Sequence, residues 1–328
     1  MRCSAITGKV FARHDMGAHP CSRHAETGAR LREVMGGIPP DIPVRAPTAV
    51  TSAEIELVHD RSYVRWIREM ARGDRFLDDN TYVTAATFDV ALTAAGSAHA
   101  AAVRAMEGEN CFALVRPPGH HAEPDRQMGF CIFNNAAVAA AMSLQEGLER
   151  IVILDWDLHH GNGTQRIFYG EERVLFLSIH QRNSFPGTGW PEEIGSGRGR
   201  GYTINAPIRS GSTVADYVWI LEEVFLPAIR THRPDLLILS AGQDALYDDP
   251  HGRMRLTPSD YGVLTSRLLS LDLPTALVLE GGYGPSHGKA IAAIFSALKG
   301  SRAEMPDNLR PSADTKNLAA LLRKVMPY

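Results

Sequence analysis

Five continuous apolar runs, each as long as a β-strand, are the feature that most restricts how this chain can fold. None has the strict apolar–polar alternation of a half-exposed strand, so they are typical of a parallel sheet covered on both faces. The runs are CFALV (111–115), IVILD (151–155), VLFLS (174–178), LLILS (236–240) and TALVLE (275–280). They predict an α/β fold with one mostly parallel central sheet.

Segments with a helical pattern separate these runs, as expected for strand–helix–strand units. The predicted helices cover 87–107, 134–146, 213–230, 259–269 and 287–298. Residues 1–60 are less regular, and no order of elements is predicted there. A chain of 328 residues is long enough for one large α/β domain, and a single catalytic domain over 1–328 is the expectation.

Composition excludes several classes of protein. The net charge of -3 gives no general basic surface for nucleic acid. The four cysteines form no CxxC pair, which argues against a disulfide framework or a cysteine-bound zinc site. The N-terminal residues lack the apolar core of a secretory signal, and no apolar run is long enough to cross a bilayer. We therefore predict a cytoplasmic protein with no nucleic-acid or membrane partner.

Polar, glycine-rich segments follow all five apolar runs. They are RPPGHH (116–121), WDLHHGNG (156–163), IHQRNSFPGTG (179–189), AGQDA (241–245) and GGYGP (281–285). In an open α/β sheet, ligands bind just beyond the carboxyl ends of the strands. The five segments are therefore expected to meet at one edge of the sheet and to form one site.

A metal site is the first prediction for this edge. Asp155, Asp157 and His159 are spaced two apart, so they share one side of the chain if the strand geometry continues. Zinc accepts carboxylate and imidazole ligands and keeps a position open for water in catalytic sites. Asp244, at another strand end, is the predicted third ligand. The same ligands also suit Fe(II), Mn(II) or Co(II).

The alternative for each of these residues alone is a turn, a helix cap or a partly buried histidine. The cluster argues against it, because burying two Asp and two His within six residues is costly without a partner. His120 and His121 follow a rigid Pro-Pro-Gly turn that suits a general acid and base, although a surface or capping pair is the alternative. Tyr283 is a candidate oxyanion donor or a simple turn tyrosine.

These segments together resemble the zinc-dependent histone deacetylase superfamily, which includes bacterial histone deacetylase-like amidohydrolases and acetylpolyamine amidohydrolases. The matching stretches are RPPGHHAE, GFCIFNNAAVAA, ILDWDLHHGNGTQRIFY, SIHQRNSFPGTG, SAGQDALYDDPHG and LEGGYG. The resemblance extends over about residues 10–300, and the matching motif sequences are closer to those of class II and bacterial members. It implies an arginase-like α/β/α fold in three layers.

The resemblance also implies roles for the site residues. One zinc ion per chain would be held by Asp157, His159 and Asp244. His120 and His121 match the tandem histidine pair that transfers protons in the family. Tyr283 matches the tyrosine that stabilises the transition state.

Supporting residues follow from the same resemblance. Asp155 matches the carboxylate that orients His120. Asn162 stands where class I members have a second Asp, and a neutral side chain there leaves His121 less biased towards imidazolium. Asp155 and Ser178 match side chains of a potassium site. The backbones of Asp157, His159 and Ile179 complete the match.

The substrate tunnel is the last implied feature. Gly129, Phe130 and Phe185 match its walls, although core packing is the alternative for each Phe. His251 matches a position at the tunnel mouth where many relatives have Leu and a polyamine-selective relative has Glu. A neutral or weakly positive side chain there does not attract a polyamine as Glu does. Asn80, within LDDNTYV (77–83), falls where many relatives have a carboxylate that grips the substrate backbone.

The expected activity is hydrolysis of an N-acyl amine, such as acetyl-lysine or an acetylpolyamine, whether free or in a peptide. A ureohydrolase-like two-metal enzyme is one alternative, and the single Asp of GQDA argues against it. A non-catalytic acyl-lysine binder is another, and the presence of His120, His121 and Tyr283 argues against that. The early loop (13–31) is short, so dimerisation through a long insertion there is not expected, although a homo-oligomer remains possible.

Overall fold

The computed structural model describes residues 2–17, 24–307 and 310–325, and ten strands lie within them. They are β1 (Arg2–Ile6), β2 (Val44–Arg45), β3 (Arg75–Phe76), β4 (Tyr82–Val83), β5 (Glu109–Ala113), β6 (Ile151–Asp155), β7 (Val174–Gln181), β8 (Thr203–Ile208), β9 (Leu236–Ala241) and β10 (Thr275–Leu279). Residues 18–23 of the early loop lie outside the described part.

Eight of these strands form one central sheet, in the order β2–β1–β5–β10–β9–β6–β7–β8. Every pairing in it is parallel. Strands β3 and β4 form a separate antiparallel hairpin. Because the strands of the sheet point the same way, the carboxyl ends of β5, β6, β7, β9 and β10 lie along one edge.

Helices follow most of the strands. In the described residues they are α1 (Gly28–Gly36), α2 (Ser52–Ile55), α3 (Arg61–Met70), α4 (Thr87–Met106), α5 (Asn135–Gln145), α6 (Asn162–Phe168), α7 (Val214–Ile220), α8 (Leu226–His232), α9 (Pro258–Leu269), α10 (His287–Leu298) and α11 (Ala313–Val325). One π-helical turn, Leu221–Phe225, joins α7 to α8, and short 3-10 turns occupy Lys9–Arg13 and Gly197–Gly199.

Two hydrophobic cores, one on each face of the sheet, hold the helices in place. Val152 and Leu154 of β6 face a core shared with α7 to α11. Ile151 and Ile153 face the other core, shared with α2 to α6. Alternate residues of one strand thus enter opposite cores, as the pleat requires. The predicted three-layer α/β/α fold with a parallel central sheet is confirmed.

The five predicted strands and five predicted helices are all present, with shifted ends. Strand β5 begins at Glu109, two residues before the predicted run, and β7 continues to Gln181. The predicted helix 213–230 is α7 and α8 with the π-helical turn between them. Strand β8 escaped prediction because it contains Asn205 and Pro207. It lies at the edge of the sheet, where a proline removes no hydrogen bond that the sheet needs.

No helix in the described ranges is long and apolar enough to cross a membrane.

Candidate active site

A cavity of about 190 Å³ opens at the carboxyl edge of the sheet. Its lining contains most of the side chains that the sequence singles out. The lining residues are Asn80, Pro118, His120, His121, Gly129, Phe130, Asp157, His159, Phe185, Asp244, His251, Gly281 and Tyr283. Three predicted residues, Asp155, Asn162 and Ser178, lie behind the lining. Asp155 contacts His120 and Asn162 contacts His121, whereas Ser178 is the register partner of Asp155.

Asp157, His159 and Asp244 form a compact group at the base of the cavity. Their ligand atoms all lie within 4.8 Å of one another. His159 Nδ1 is 3.3 Å from Asp157 Oδ1 and 3.0 Å from Asp244 Oδ2. Backbone amides hold the carboxylates, because Gly281 N donates to Asp157 and Leu158 N donates to Asp244, both at 2.8 Å.

The charges of this group favour a bound cation. Burial and the charge of Asp157 raise the pKa of Asp244 to about 7. Burial alone would lower the pKa of His159, but hydrogen bonds to Asp157 and Asp244 raise it to about 10. Asp244 and His159 therefore retain protons near neutral pH beside the ionised Asp157, and a divalent metal would neutralise the two fully buried carboxylates instead. The residues present therefore fit a metal such as zinc.

Glycine is required beside these ligands. A Cβ on Gly281 would lie 2.6 Å from Asp244 Oδ2 and 2.7 Å from Asp157 Oδ2, and one on Gly242 would overlap the Asp157 carboxylate. The backbone at the ends of β9 and β10 can therefore approach the carboxylates only without side chains. This close approach explains Gly242 of AGQDA and Gly281 of GGYGP.

His120 lies between two carboxylates. Its Nδ1 is 2.9 Å from Asp155 Oδ2, and its Nε2 is 3.8 Å from Asp157 Oδ1. Burial alone would lower the pKa of His120, but the charges of Asp157 and Asp155 raise it well above its usual value. The surroundings of His120 therefore stabilise the imidazolium form.

His121 lies in the opposite electrostatic environment. Its ring centroid is 3.9 Å from that of His120, and its Nδ1 is 2.8 Å from Asn162 Oδ1. Burial and the neighbouring charges of His120 and His159 lower the pKa of His121 well below its usual value. The two adjacent histidines thus differ in their preferred protonation state, as expected for a pair with separate roles.

Tyr283 faces the same cavity from the loop after β10. The backbone N–H groups of Tyr283 and Gly284 donate to Asp249 Oδ2 at 2.6 and 3.0 Å. The guanidinium of Arg30 lies 4.5 Å from the centroid of the Tyr283 ring. Burial raises the pKa of Tyr283 well above its usual value, so the phenol keeps its proton and can donate it in a hydrogen bond.

Phe130 and Phe185 form the walls. The Phe130 ring packs edge-on against Tyr283 at 5.6 Å between centroids, and the Phe185 ring packs edge-on against His121 at 5.1 Å. Phe185 is 43% exposed, so it borders the entrance and is not a core residue. Gly129 has φ of +55°, and a Cβ there would lie 2.5 Å from His121 Cδ2.

We expect Gly129→Ala to lower kcat/KM at least ~10-fold, because the added methyl would displace the His121 ring. Gly187→Ala is the matched control, since Gly187 also has a positive φ but open space around its Cβ position. Steady-state kinetics and thermal unfolding of both variants check this prediction. If kcat/KM fell equally in the two variants, the effect would be due to backbone strain and not to contact with His121.

Among the described residues that line the cavity, the carboxylates are Asp157 and Asp244 at its base, and none lies at the entrance. His251 lies there with part of its side chain exposed, 5.1 Å from Tyr283 between ring centroids, and its partial desolvation lowers its pKa. Asn80 lines the cavity, whereas Asp78 accepts hydrogen bonds from Asn80 N and Thr81 N at 2.9 and 2.7 Å. The Asp78 carboxylate therefore stabilises the backbone of the turn in which it lies.

Asp155 and Ser178 are register partners on β6 and β7, and both are fully buried. Asp155 Oδ1 accepts from Asp157 N at 3.0 Å. The Ser178 hydroxyl is 2.9 Å from His180 Nδ1, a contact that the sequence analysis did not anticipate.

A buried charge network behind Tyr283 also escaped sequence analysis. Glu26 is paired with Arg30 at 2.8 Å and with Arg116 at 2.5 Å, and all three side chains are nearly inaccessible. Arg30 Nε donates to Gly282 O at 2.8 Å and a second Arg30 nitrogen donates to Glu280 O. Residue 30 and residues 280–282 lie far apart in the chain, so no local pattern signals this contact.

Glu280 was missed for a different reason. It is the last residue of an apolar run, and it is fully buried beneath the histidine pair. Its Oε2 accepts from Gly119 N at 2.7 Å and His120 N at 3.1 Å, so it fixes the backbone of the GHH turn. Burial raises the pKa of Glu280 to about 7.

Comparisons with known proteins agree with this geometry. The family model described as the histone deacetylase domain matches residues 19–298. A probable deacetylase of Archaeoglobus fulgidus is 37% identical over 93% of this chain and 90% of its own length. A histone deacetylase-like amidohydrolase of Pseudomonas aeruginosa is 34% identical over 91% of this chain and 82% of its own length. Histone deacetylase HDA1 of Candida albicans is 39% identical over 83% of this chain, which spans only 35% of that longer protein.

A solved structure is similar as well. The crystal structure of the HDA15 HD domain has a TM-score of 0.92 and 31% sequence identity, over 99% of this chain and 94% of that one. The fold and the cavity therefore define a hydrolase with the arginase/deacetylase-like α/β architecture. The chain belongs to the histone deacetylase family, whose members are metal-dependent deacetylases that act on acylated amines.

Proposed function

We propose that the chain is a zinc-dependent amidohydrolase that removes an acetyl or other acyl group from an N-acylated amine. The observation that carries this proposal is the cavity itself. It brings two buried carboxylates and an imidazole together with His121, whose pKa is lowered, and Tyr283, whose pKa is raised. This is the set of groups that hydrolysis of an amide by a metal-activated water requires.

Asp157, His159 and Asp244 would hold one zinc ion per chain. A zinc ion there would polarise the acyl carbonyl and lower the pKa of a water molecule to about 7. The ligand types also suit Fe(II) or Co(II). Zinc is proposed because its preferred ligands include both carboxylate and imidazole. A potassium ion near Asp155 and Ser178 belongs to the same proposal.

His121 is the proposed general base. It is neutral, since its pKa is held well below the usual value, and its Nδ1 is occupied by Asn162. The other ring nitrogen is therefore available to take a proton from the attacking water and to return it to the leaving amine. His120, held as imidazolium by Asp155 and Asp157, supplies positive charge beside the reacting carbonyl.

Tyr283 is the proposed oxyanion donor. Its high pKa keeps the hydroxyl protonated throughout turnover, so it can donate to the oxygen that becomes negative when the carbonyl is attacked. Asp249 and Arg30 hold the Tyr283 backbone and ring, which reduces the reorganisation needed when the charge develops.

The walls and the entrance guide the proposal for the substrate. Two phenylalanines flank the cavity and suit an apolar linker such as the lysine side chain. His251 and Asn80 replace the acidic groups that would attract a polyamine or grip a peptide backbone. We therefore favour acetyl-lysine or a slim, weakly charged acetylated amine. A cytoplasmic location and a single domain over 1–328 stay predictions.

Turnover on a matched panel tests the proposal. Zinc-loaded protein is expected to release acetate from at least one of acetyl-lysine peptide, acetylputrescine and acetylspermidine, while chelated protein releases none.

We expect kcat/KM to be higher for the acetyl-lysine peptide than for acetylspermidine, and His251→Glu to shift that ratio towards acetylspermidine. A preference of the unaltered chain for acetylspermidine would contradict the inference drawn from the entrance. If the zinc-loaded protein turned over none of these substrates and no longer acyl-lysine, the result would contradict the proposed enzymatic activity and favour a non-catalytic acyl-lysine binder.

A further inference from the structure

We propose that Glu123 is a positioning residue for His121. It acts through Asn162 and determines which nitrogen of the His121 ring is free to take up a proton. Glu123 closes the RPPGHHAE segment, and neither the metal group nor the cavity lining includes it. The inference rests on the proposed role of His121 as general base.

A chain of three side chains connects the two residues. His121 Nδ1 is 2.8 Å from Asn162 Oδ1, and Asn162 Nδ2 donates to Glu123 Oε1, also at 2.8 Å. Glu123 is 5% exposed and Asn162 is 6% exposed, so water has little access to either contact. A buried chain of this kind holds each member in one orientation.

Two arginines keep Glu123 ionised. Arg126 donates to both carboxylate oxygens at 3.0 Å, and Arg166 Nη1 donates to Oε2. Burial alone would raise the pKa of Glu123, but hydrogen bonds from Arg126, Arg166 and Asn162 lower it below the usual value. Glu123 is therefore a carboxylate at neutral pH, and a carboxylate only accepts hydrogen bonds.

This restriction fixes the amide of Asn162. The oxygen and nitrogen ends of an amide have nearly the same shape, so either end could face His121 on steric grounds. Because Glu123 only accepts, the NH₂ group must face Glu123 and the oxygen must face His121. His121 then carries its hydrogen on Nδ1, and Nε2 keeps the lone pair that a general base needs.

The backbone of Glu123 is held as firmly as its side chain. Glu123 N donates to Arg126 O at 2.9 Å, and Glu123 O is 2.9 Å from His59 Nδ1. His59 Nε2 accepts from Asn134 N at 2.9 Å, so Nδ1 is the protonated nitrogen that donates to Glu123. The carboxylate is thus aimed inwards at Asn162.

Glu123→Gln is the first test. The new amide can donate as well as accept, so Asn162 can rotate and present its NH₂ group to His121, which stabilises the wrong tautomer. We expect kcat to fall about 10-fold or more, with KM and zinc content unchanged. Asp125→Asn is the matched control, because Asp125 binds the same Arg166 at 3.0 Å but is about half exposed and, within the described residues, makes no hydrogen bond to Asn162. Unchanged kcat in Glu123→Gln would overturn the proposal.

Rescue separates positioning from a general structural defect. In the double variant Glu123→Gln with Asn162→Asp, the new carboxylate at position 162 cannot act as a donor. It can accept from His121 Nδ1 and from the new amide at position 123, so the orientation of the chain is restored. A carboxylate at position 162 also raises the pKa of His121, so kcat is compared over a range of pH. We expect the plateau of kcat at high pH to recover most of the loss, whereas a plateau no higher than that of Glu123→Gln alone would overturn the proposal.

The tautomer can be observed directly by long-range ¹⁵N–¹H correlation spectra of histidine-labelled, zinc-loaded protein. We expect the Nδ1–H form of His121 in the unaltered chain and a mixture of forms in Glu123→Gln. Signals that vanish in His121→Ala assign the residue. An unmixed Nδ1–H signal in Glu123→Gln would overturn the role of Glu123 but leave the proposed deacylase activity intact. Normal turnover in His121→Ala would instead overturn the role of His121 as general base.

Discussion

Tyr283→Phe is expected to lower kcat by about 100- to 1,000-fold, the loss typical of removing one oxyanion donor. The substitution deletes only the hydroxyl, and the remaining ring keeps its contacts with Phe130 and Arg30. Zinc content should not change, because the metal group consists of Asp157, His159 and Asp244 and does not include Tyr283. The measurement is kcat on the best substrate of the panel, together with metal analysis.

Tyr247→Phe is the matched control for this prediction. Tyr247 is 60% exposed and does not line the cavity, so the same chemical change there should leave kcat near that of the unaltered chain. Near-normal turnover in Tyr283→Phe would show that its hydroxyl does not stabilise the transition state.

Asp244→Asn should remove both zinc binding and turnover. The substitution replaces a buried negative charge by an amide, so the metal loses a ligand and half of the local carboxylate charge. We expect the affinity for zinc to fall by at least ~100-fold, since even a residue that only supports a ligand contributes 10- to 100-fold. Competition binding against a zinc chelator measures this, with Asp125→Asn as the control for loss of one carboxylate. Unchanged affinity would exclude Asp244 as a ligand.

The same ligands predict the direction of the pH effect on zinc binding. The pKa of Asp244 is raised to about 7 and that of His159 to about 10, so protons occupy the group near neutral pH. Zinc must displace these protons, and its affinity should therefore fall as the pH is lowered from 8 to 6.

The sequence predicted the part of the fold that rests on apolar runs. Strands β6, β9 and β10 are apolar except for one residue each, because helices cover both faces of the sheet. Strands β1 and β8 escaped because polar residues, such as Ser4 and Asn205, occupy buried positions in them. At these positions the tertiary fold supplies the surroundings that the local pattern does not show.

The site follows the same division. Asp157, His159, Asp244, His121 and Tyr283 were predictable because they follow strand ends that converge in a parallel sheet. The supporting contacts were not predictable in this way, because they join segments that are far apart in the sequence. Arg30 reaches Gly282, and Glu123 acts on His121 only through Asn162, a link that appears once the chain is folded.

The most direct test of zinc-dependent hydrolysis is a zinc titration of chelated protein, with acetate release followed on the best substrate of the panel. A one-zinc mechanism predicts that activity is absent at the start, rises in proportion to added zinc and reaches a plateau at one zinc per chain. A plateau only at two zinc ions per chain would favour a two-metal hydrolase, and full activity before any zinc is added would contradict the metal-dependent mechanism.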